Sequence, residues 1–180
     1  MPEASDEDAE AIARAVEAGE DDIVVPAEML VEEPEAGAAP ALARSLYAQI
    51  LNMGIGERIK LALRGNRDAR AILIRDAQKL IRRFVLQNPR VTDTEVVAVA
   101  RNRSADEELL RVIAERREWM RNYQIRLALT TNPKTPLVLA LKQLTTLTDG
   151  DLRLLTKSKN VSATVASQAR RILMTMREPR

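Results

Sequence analysis

The chain contains no cysteine and no histidine. The first absence removes disulfides, thiolate nucleophiles and cysteine-bound metals. It suits a reducing compartment, and a cytoplasmic location is the expectation. The second removes the commonest general base and the commonest metal ligand. A serine–histidine hydrolase triad is therefore excluded. Aromatic residues make up 2% of the sequence, and there are 6 glycines. So few rings and turn residues favour packed helices over a sandwich or barrel. No apolar run approaches the ~20 residues that span a bilayer. The opening residues, Met1 to Glu10, have neither a basic nor an apolar region, so no signal peptide is expected. Proline at position 2 argues against N-myristoylation. No catalytic centre, cofactor or metal site is expected.

What the chain does have is charge, segregated by position. The formal net charge is +2 over 180 residues. Residues 1–40 carry 13 Asp or Glu and one basic residue, Arg14, a net of −12. Residues 41–180 carry 27 Lys or Arg and 13 acids, a net of +14. This reads as an acidic, mostly disordered tail over 1–40, joined to a basic helical body over 41–180. Two pieces of the tail have the pattern for local order. In Ser5–Gly19, Ala9, Ile12, Ala13 and Val16 fall at helical spacing. Residues 21–35 form an apolar patch flanked by acids, suited to dock on the chain's own body or on a second partner.

From Ala41 onward the apolar spacing is helical. Leu73, Ala77, Leu80 and Phe84 form one stripe, and Val165, Ala169, Ile172 and Met176 another. Thr92-x-x-Glu95 and Ser104-x-x-Glu107 read as capping boxes, with Thr148-x-x-Asp151 a weaker relative. Asn88-Pro89 and Asn132-Pro133 read as stops. Asparagine tolerates a left-handed closing residue, and proline cannot continue the ladder. The predicted helices are 41–52, 56–64, 67–87, 93–101, 105–115, 117–131, 136–146, 150–157 and 162–177. A bend or split is expected near Asp76.

An internal repeat runs through this pattern. Residues 81–88 (IRRFVLQN) and 125–132 (IRLALTTN) lie 44 apart. They share Ile81 with Ile125, Arg82 with Arg126, Asn88 with Asn132 and Pro89 with Pro133, and Arg90 stands opposite Lys134. Residues 59–66 (IKLALRGN) repeat the frame half a period earlier, and Arg170 follows one period after Arg126. A period of about 40–47 residues with grouped helices belongs to stacked helical repeats, whose units bury their faces only against neighbours.

The stretch Arg126, Leu127 to Leu129, Asn132-Pro133 and Thr135-Pro136 resembles the degenerate HEAT-like repeats of bacteria, including the leucine-rich-repeat-variant type. The earlier copy keeps Arg82 and Asn88-Pro89 but has Val91-Thr92 in place of Thr-Pro. Residues 41–180 are also similar to an uncharacterised bacterial family of small helical proteins. The resemblance implies an all-α fold of stacked helical hairpins, a short α-solenoid used for macromolecular binding. It implies no catalytic residue.

Functional candidates follow from the basic residues. Arg101, Arg103, Arg116, Arg117 and Arg121 crowd the middle of the chain and are the candidates for partner binding. Arg82, Arg126 and Arg170 recur with the repeat; an anchoring role between helices is favoured over a basic ladder. Trp119, with Tyr123 and Leu127 one and two turns on, can stack on a base or anchor an interface; core packing is the favoured reading. Gly54-x-Gly56 lacks the rest of a nucleotide fingerprint and reads as a turn. Asp76 is expected to pair along its helix with Arg75, Lys79 or Arg82. The functional expectation is a non-enzymatic adaptor that binds an acidic protein surface, with a tail able to regulate it. Nucleic-acid binding by the basic face is the alternative.

Overall fold

The computed structural model describes residues 5–32 and 40–177, and of residues 40–44 and 177 the backbone only. Among the described residues every regular element is helical and no strand occurs. None of these helices is long and apolar enough to cross a membrane. The chain divides into two compact units, 1–91 and 92–180. The sequence pattern suggests a division at 40/41; the compact units divide between Val91 and Thr92.

The first unit begins with α1 (Asp6–Ala18). Ser5 and Asp8 close a reciprocal capping box, and three acids fill the first turn, where they suit the helix dipole. Ala9, Ala13 and Val16 are buried. Gly19 ends the helix at φ 73, a left-handed conformation that glycine adopts without steric cost. A 3-10 turn follows at Ala27–Met29. Then come α2 (Pro40–Asn52), α3 (Ile55–Arg64), α4 (Arg67–Leu73) and α5 (Lys79–Val85). The predicted 67–87 helix is therefore split, and Asp76 lies in the break. It does not pair with its near neighbours: its carboxylate takes the Arg58 guanidinium of α3 at 2.8 Å and accepts from the Gln78 amide at 2.8 Å. The cross-helix partner wins because the break removes the helical spacing that the local pairing assumed.

Residues 5–32 are not a free tail. α1 packs on α3 and α5, and Met29 is fully buried in the core with Ile59, Leu73 and Ile81. Residues 5–32 are ordered within the segment expected to be mostly disordered, and they contain the two pieces singled out for local order as far as residue 32. The remaining parts of the 1–40 segment, 1–4 and 33–39, lie outside the described residues, including the end of the 21–35 patch.

Basic side chains of the unit hold this N-terminal strap. Lys60 Nζ donates to Asp21 Oδ1 and to the Ile23 carbonyl, both at 2.7 Å. Arg64 donates to the Glu17 carbonyl at 3.0 Å, at the negative end of α1. Asn66 takes the Met29 carbonyl on its amide at 2.7 Å and those of Glu28 and Val31 on its side chain. Arg90 donates to the Leu30 carbonyl at 2.7 Å. Arg70, 1% exposed, forks onto both oxygens of Glu32 at 3.0 and 3.2 Å. Gly65 is required at the end of α3, since a Cβ there would meet the Leu61 carbonyl oxygen at 2.3 Å.

The Lys60 bond is the main reason the Asp21 carboxyl is held below its ordinary value of 3.8, against the opposing effect of burial. A depressed acid stabilises the fold above its unfolded pKa and releases that stability as pH falls through the folded value. The strap should therefore begin to loosen only below about pH 4. An acid titration of the Ile23 amide resonance checks this. Asp21→Asn should remove the transition, and an unchanged transition in that variant would assign it elsewhere.

The second unit contains α6 (Asp93–Arg101), α7 (Glu107–Glu115), a 3-10 turn (Trp119–Arg121), α8 (Tyr123–Thr131), α9 (Leu137–Leu144), α10 (Asp149–Lys157) and α11 (Ala163–Arg177). Its cores are aliphatic, as the scarcity of rings demanded. Leu144, Leu152, Leu155, Val165 and Ala169 form one cluster. Thr92 and Glu95 form the expected capping box, and Thr148 caps α10. The Ser104 box does not form; Asp106 stands at that N-cap without a side-chain capping bond.

Within the units a three-helix grouping recurs. α3 packs on α5, α6 on α8 and α9 on α11. In the first two groups an asparagine after the third helix reaches back to the end of the first. Asn88 Nδ2 donates to the carbonyls of Ala62 and Gly65 at 3.0 and 3.2 Å. Asn132 Nδ2 donates to those of Ala100 and Asn102 at 2.7 and 3.0 Å. Each Oδ1 then accepts the amide two residues on, from Arg90 or Lys134, at 2.9 Å. Asn132 has φ −80 and ψ 121, so its value is not a left-handed stop. It supplies donors to helix-end carbonyls that have no partner within their own helix.

Candidate binding surface

The charge that looked segregated along the chain is redistributed by folding. Residues 1–91, strap included, hold 16 acids and 12 Lys or Arg, a net of −4. Residues 92–180 hold 10 acids and 16 Lys or Arg, a net of +6. The acidic strap meets the basic residues nearest to it, and the basic excess that remains belongs to the second unit.

The five candidate arginines all lie in that unit, in four different settings. Arg101 ends α6 and is exposed, but its guanidinium donates to Gln124 Oε1 of α8 at 3.0 Å. Arg116 is half-buried and stacks over the Trp119 ring at 4.6 Å, a cation–π contact that ties up the charge. Arg117 and Arg121 flank the 3-10 turn and are exposed. Arg103 is also exposed but follows Asn102, which is clamped by Asn132 at the far end of α8. The 3-10 turn places Arg117 and Arg121 before the start of α8, while Arg101, beside Leu127, Ala128 and Thr131, only reaches back to Gln124 with its guanidinium. Arg103 sits at the opposite end.

Trp119 is 7% exposed, so it is core and not a stacking platform. Pro89 and Pro133 are exposed beside their buried asparagines. The repeat arginines have separate fates. Arg126 donates to the carbonyls of Met120 and Arg121 at 2.7 and 3.0 Å and lies over the Tyr123 ring. It thus anchors the 3-10 turn that presents Arg117 and Arg121. Arg82 is half-buried and Arg170 exposed, so the three do not share one setting.

One cluster escaped the sequence reading. The Tyr123 hydroxyl donates to Asp151 Oδ2. It also accepts from the Thr148 amide at 3.1 Å. Thr148 Oγ1 donates to the same carboxylate oxygen at 3.0 Å. This ties the start of α8 to the start of α10 and satisfies the phenol. The partners stand 25 and 28 residues from Tyr123, a separation that no short motif encodes. Among the described residues no group of three or more acids is placed to hold a metal ion. No family model, curated protein or solved structure matches the chain.

Proposed function

We propose that the chain is a non-enzymatic helical-repeat adaptor that binds an acidic protein surface through exposed arginines of the second unit, Arg117 and Arg121 before the start of α8 and Arg103 near its far end. The repeat part of this reading is supported by the recurring packing of first helix on third, and by the matched clamps of Asn88 and Asn132. These fit the HEAT-like resemblance. The binding part is carried by one observation: Arg103, Arg117 and Arg121 are exposed in the unit with the basic excess. None of the three makes a side-chain hydrogen bond or ion pair with another described residue. Exposed charges of one sign steer an oppositely charged partner and set its register. In this reading the N-terminal strap serves the fold of the first unit and leaves partner binding to the second.

The nucleic-acid alternative loses part of its basis, because Trp119 is buried and the Tyr123 hydroxyl is engaged. No ring in this region is left to stack on bases. Capture with immobilised full-length chain and its R103E/R117E/R121E variant tests the choice. A protein partner that survives nuclease, weakens with salt and is lost by the variant is expected. A partner recovered only with intact nucleic acid would transfer the surface to a phosphate backbone.

A further inference from the structure

A groove of about 460 Å³ opens in the second unit beside the Asn132 clamp. Pro133, Pro136, Leu137 and Val165 form its apolar wall, and Lys134, Thr135 and Glu107 add polar groups. Leu137 is 43% exposed, and Val138 beside it 78%. Adjacent to the apolar wall of the groove, these two side chains extend it into a contiguous apolar surface of the kind that marks an interaction site. Thr135 is buried, yet its Oγ1 has no hydrogen-bond partner among the described residues. Such a group normally finds one.

The first unit holds the counterpart of this corner, and there it is filled. Arg90 stands to Asn88 as Lys134 stands to Asn132, with the same amide-to-Oδ1 bond. The Arg90 guanidinium takes the Leu30 carbonyl of the strap, beside the N-terminal end of α4 where Asn66 takes three more strap carbonyls. Met29, on the same turn, is driven into the core. Lys134 instead lines an open groove together with Glu107, in the first turn of α7. In the repeat reading the two corners are equivalent, and among the described residues only the first is filled by chain.

We infer that the second-unit groove binds, in trans, a partner segment with the chemistry of residues 28–32. This is a short apolar peptide with a Met or Leu anchor, its backbone carbonyls accepting from Lys134 and its polar flank meeting Thr135. The inference rests on the repeat reading, because that reading makes the two corners equivalent. It is independent of the arginine surface. Backbone recognition of this kind needs little sequence identity beyond the anchor.

The probe is a fluorescent peptide of residues 21–32 added to the full-length chain. Saturable binding is expected, weakened about tenfold or more by L137D and by K134E. Both positions are exposed enough to leave folding intact. Amide shifts on peptide addition should cluster at 132–137 and 162–165. Three results would overturn the inference: no saturable binding, binding indifferent to both substitutions, or shifts confined to 60–70, which would mean exchange with the strap. Concentration-dependent self-association abolished by L137D would make the occupant a second copy and overturn the partner assignment. The repeat reading is checked separately by the Asn88 and Asn132 substitutions below. They can behave alike while the peptide fails to bind, which would sink the groove alone.

Discussion

Deleting residues 1–40 should unfold the first unit rather than liberate a basic binding body. The strap contributes Ala9, Ala13, Val16 and Met29 to the core of that unit. Its removal bares the apolar faces of α3 and α5 that pack on α1. Burying Val16 and Met29 is worth about 1.5–3 kcal/mol each, with less from the two alanines, against a total stability of about 5–15 kcal/mol for a typical domain. Polar losses add to this. Arg70 is buried and loses the Glu32 carboxylate, and removing the opposite charge from a buried ion pair is destabilising. Met29→Ala isolates one component without touching charge, and a loss of about 2–5 kcal/mol is expected from the cavity. Denaturant unfolding of full-length chain, Met29→Ala and the 41–180 fragment measures this. A fragment whose first unit still unfolds cooperatively at the full-length midpoint would show the strap to be dispensable. It follows that any gain or loss of binding in that fragment reports on folding before it reports on autoregulation.

Asn132→Ala and Asn88→Ala should destabilise their own units by similar amounts, about 2–4 kcal/mol each. Both side chains are buried, and each donates to two helix-end carbonyls while accepting one amide. Alanine removes the donors from the Ala62 and Ala100 carbonyls, while Gly65 keeps the Arg70 guanidinium and Asn102 the Ala105 amide, and an unsatisfied buried polar group costs about 1–3 kcal/mol. Aspartate keeps the shape but turns the donor edge into an acceptor aimed at carbonyl oxygens, so N132D and N88D should fare worse than alanine. The measurement is hydrogen-exchange protection within 55–91 and within 93–144. Loss confined to the substituted unit and matched in size supports equivalent repeat elements. A near-neutral Asn132→Ala would reduce the matched clamps to coincidence and remove the main support for the repeat.

Much of the helical layout was legible because it depends on neighbours in sequence. The 93–101 helix is observed as Asp93–Arg101, started by the Thr92 box, and the bend near Asp76 is a real break. Local rules failed where a distant partner competed. Ser104 lost its capping box because the turn instead runs from Asn102, whose Oδ1 accepts the Ser104 amide at 2.9 Å. Asp76 went to Arg58, 18 residues away. The five candidate arginines are equal as letters. Folding separated them, engaging Arg101 and Arg116 within the unit and leaving Arg103, Arg117 and Arg121 outward.

The sequence by itself determined the helical class, most helix positions but neither the extent of the break within 67–87 nor the break within 117–131, the aliphatic core and the exclusion of cysteine and histidine chemistry. Period, capping and composition act over a few residues, and a single chain displays them openly. Only the tertiary structure decided that the acidic N-terminal segment is part of a core. Its low apolar content predicts disorder when the segment is weighed alone. The entropy of ordering it is offset by a body that supplies Lys60, Asn66, Arg70 and Arg90 for its carbonyls and carboxylates, and a pocket for Met29. Those partners lie 35 to 60 residues away. Such contacts are a property of the fold, which brings together groups that no local pattern pairs.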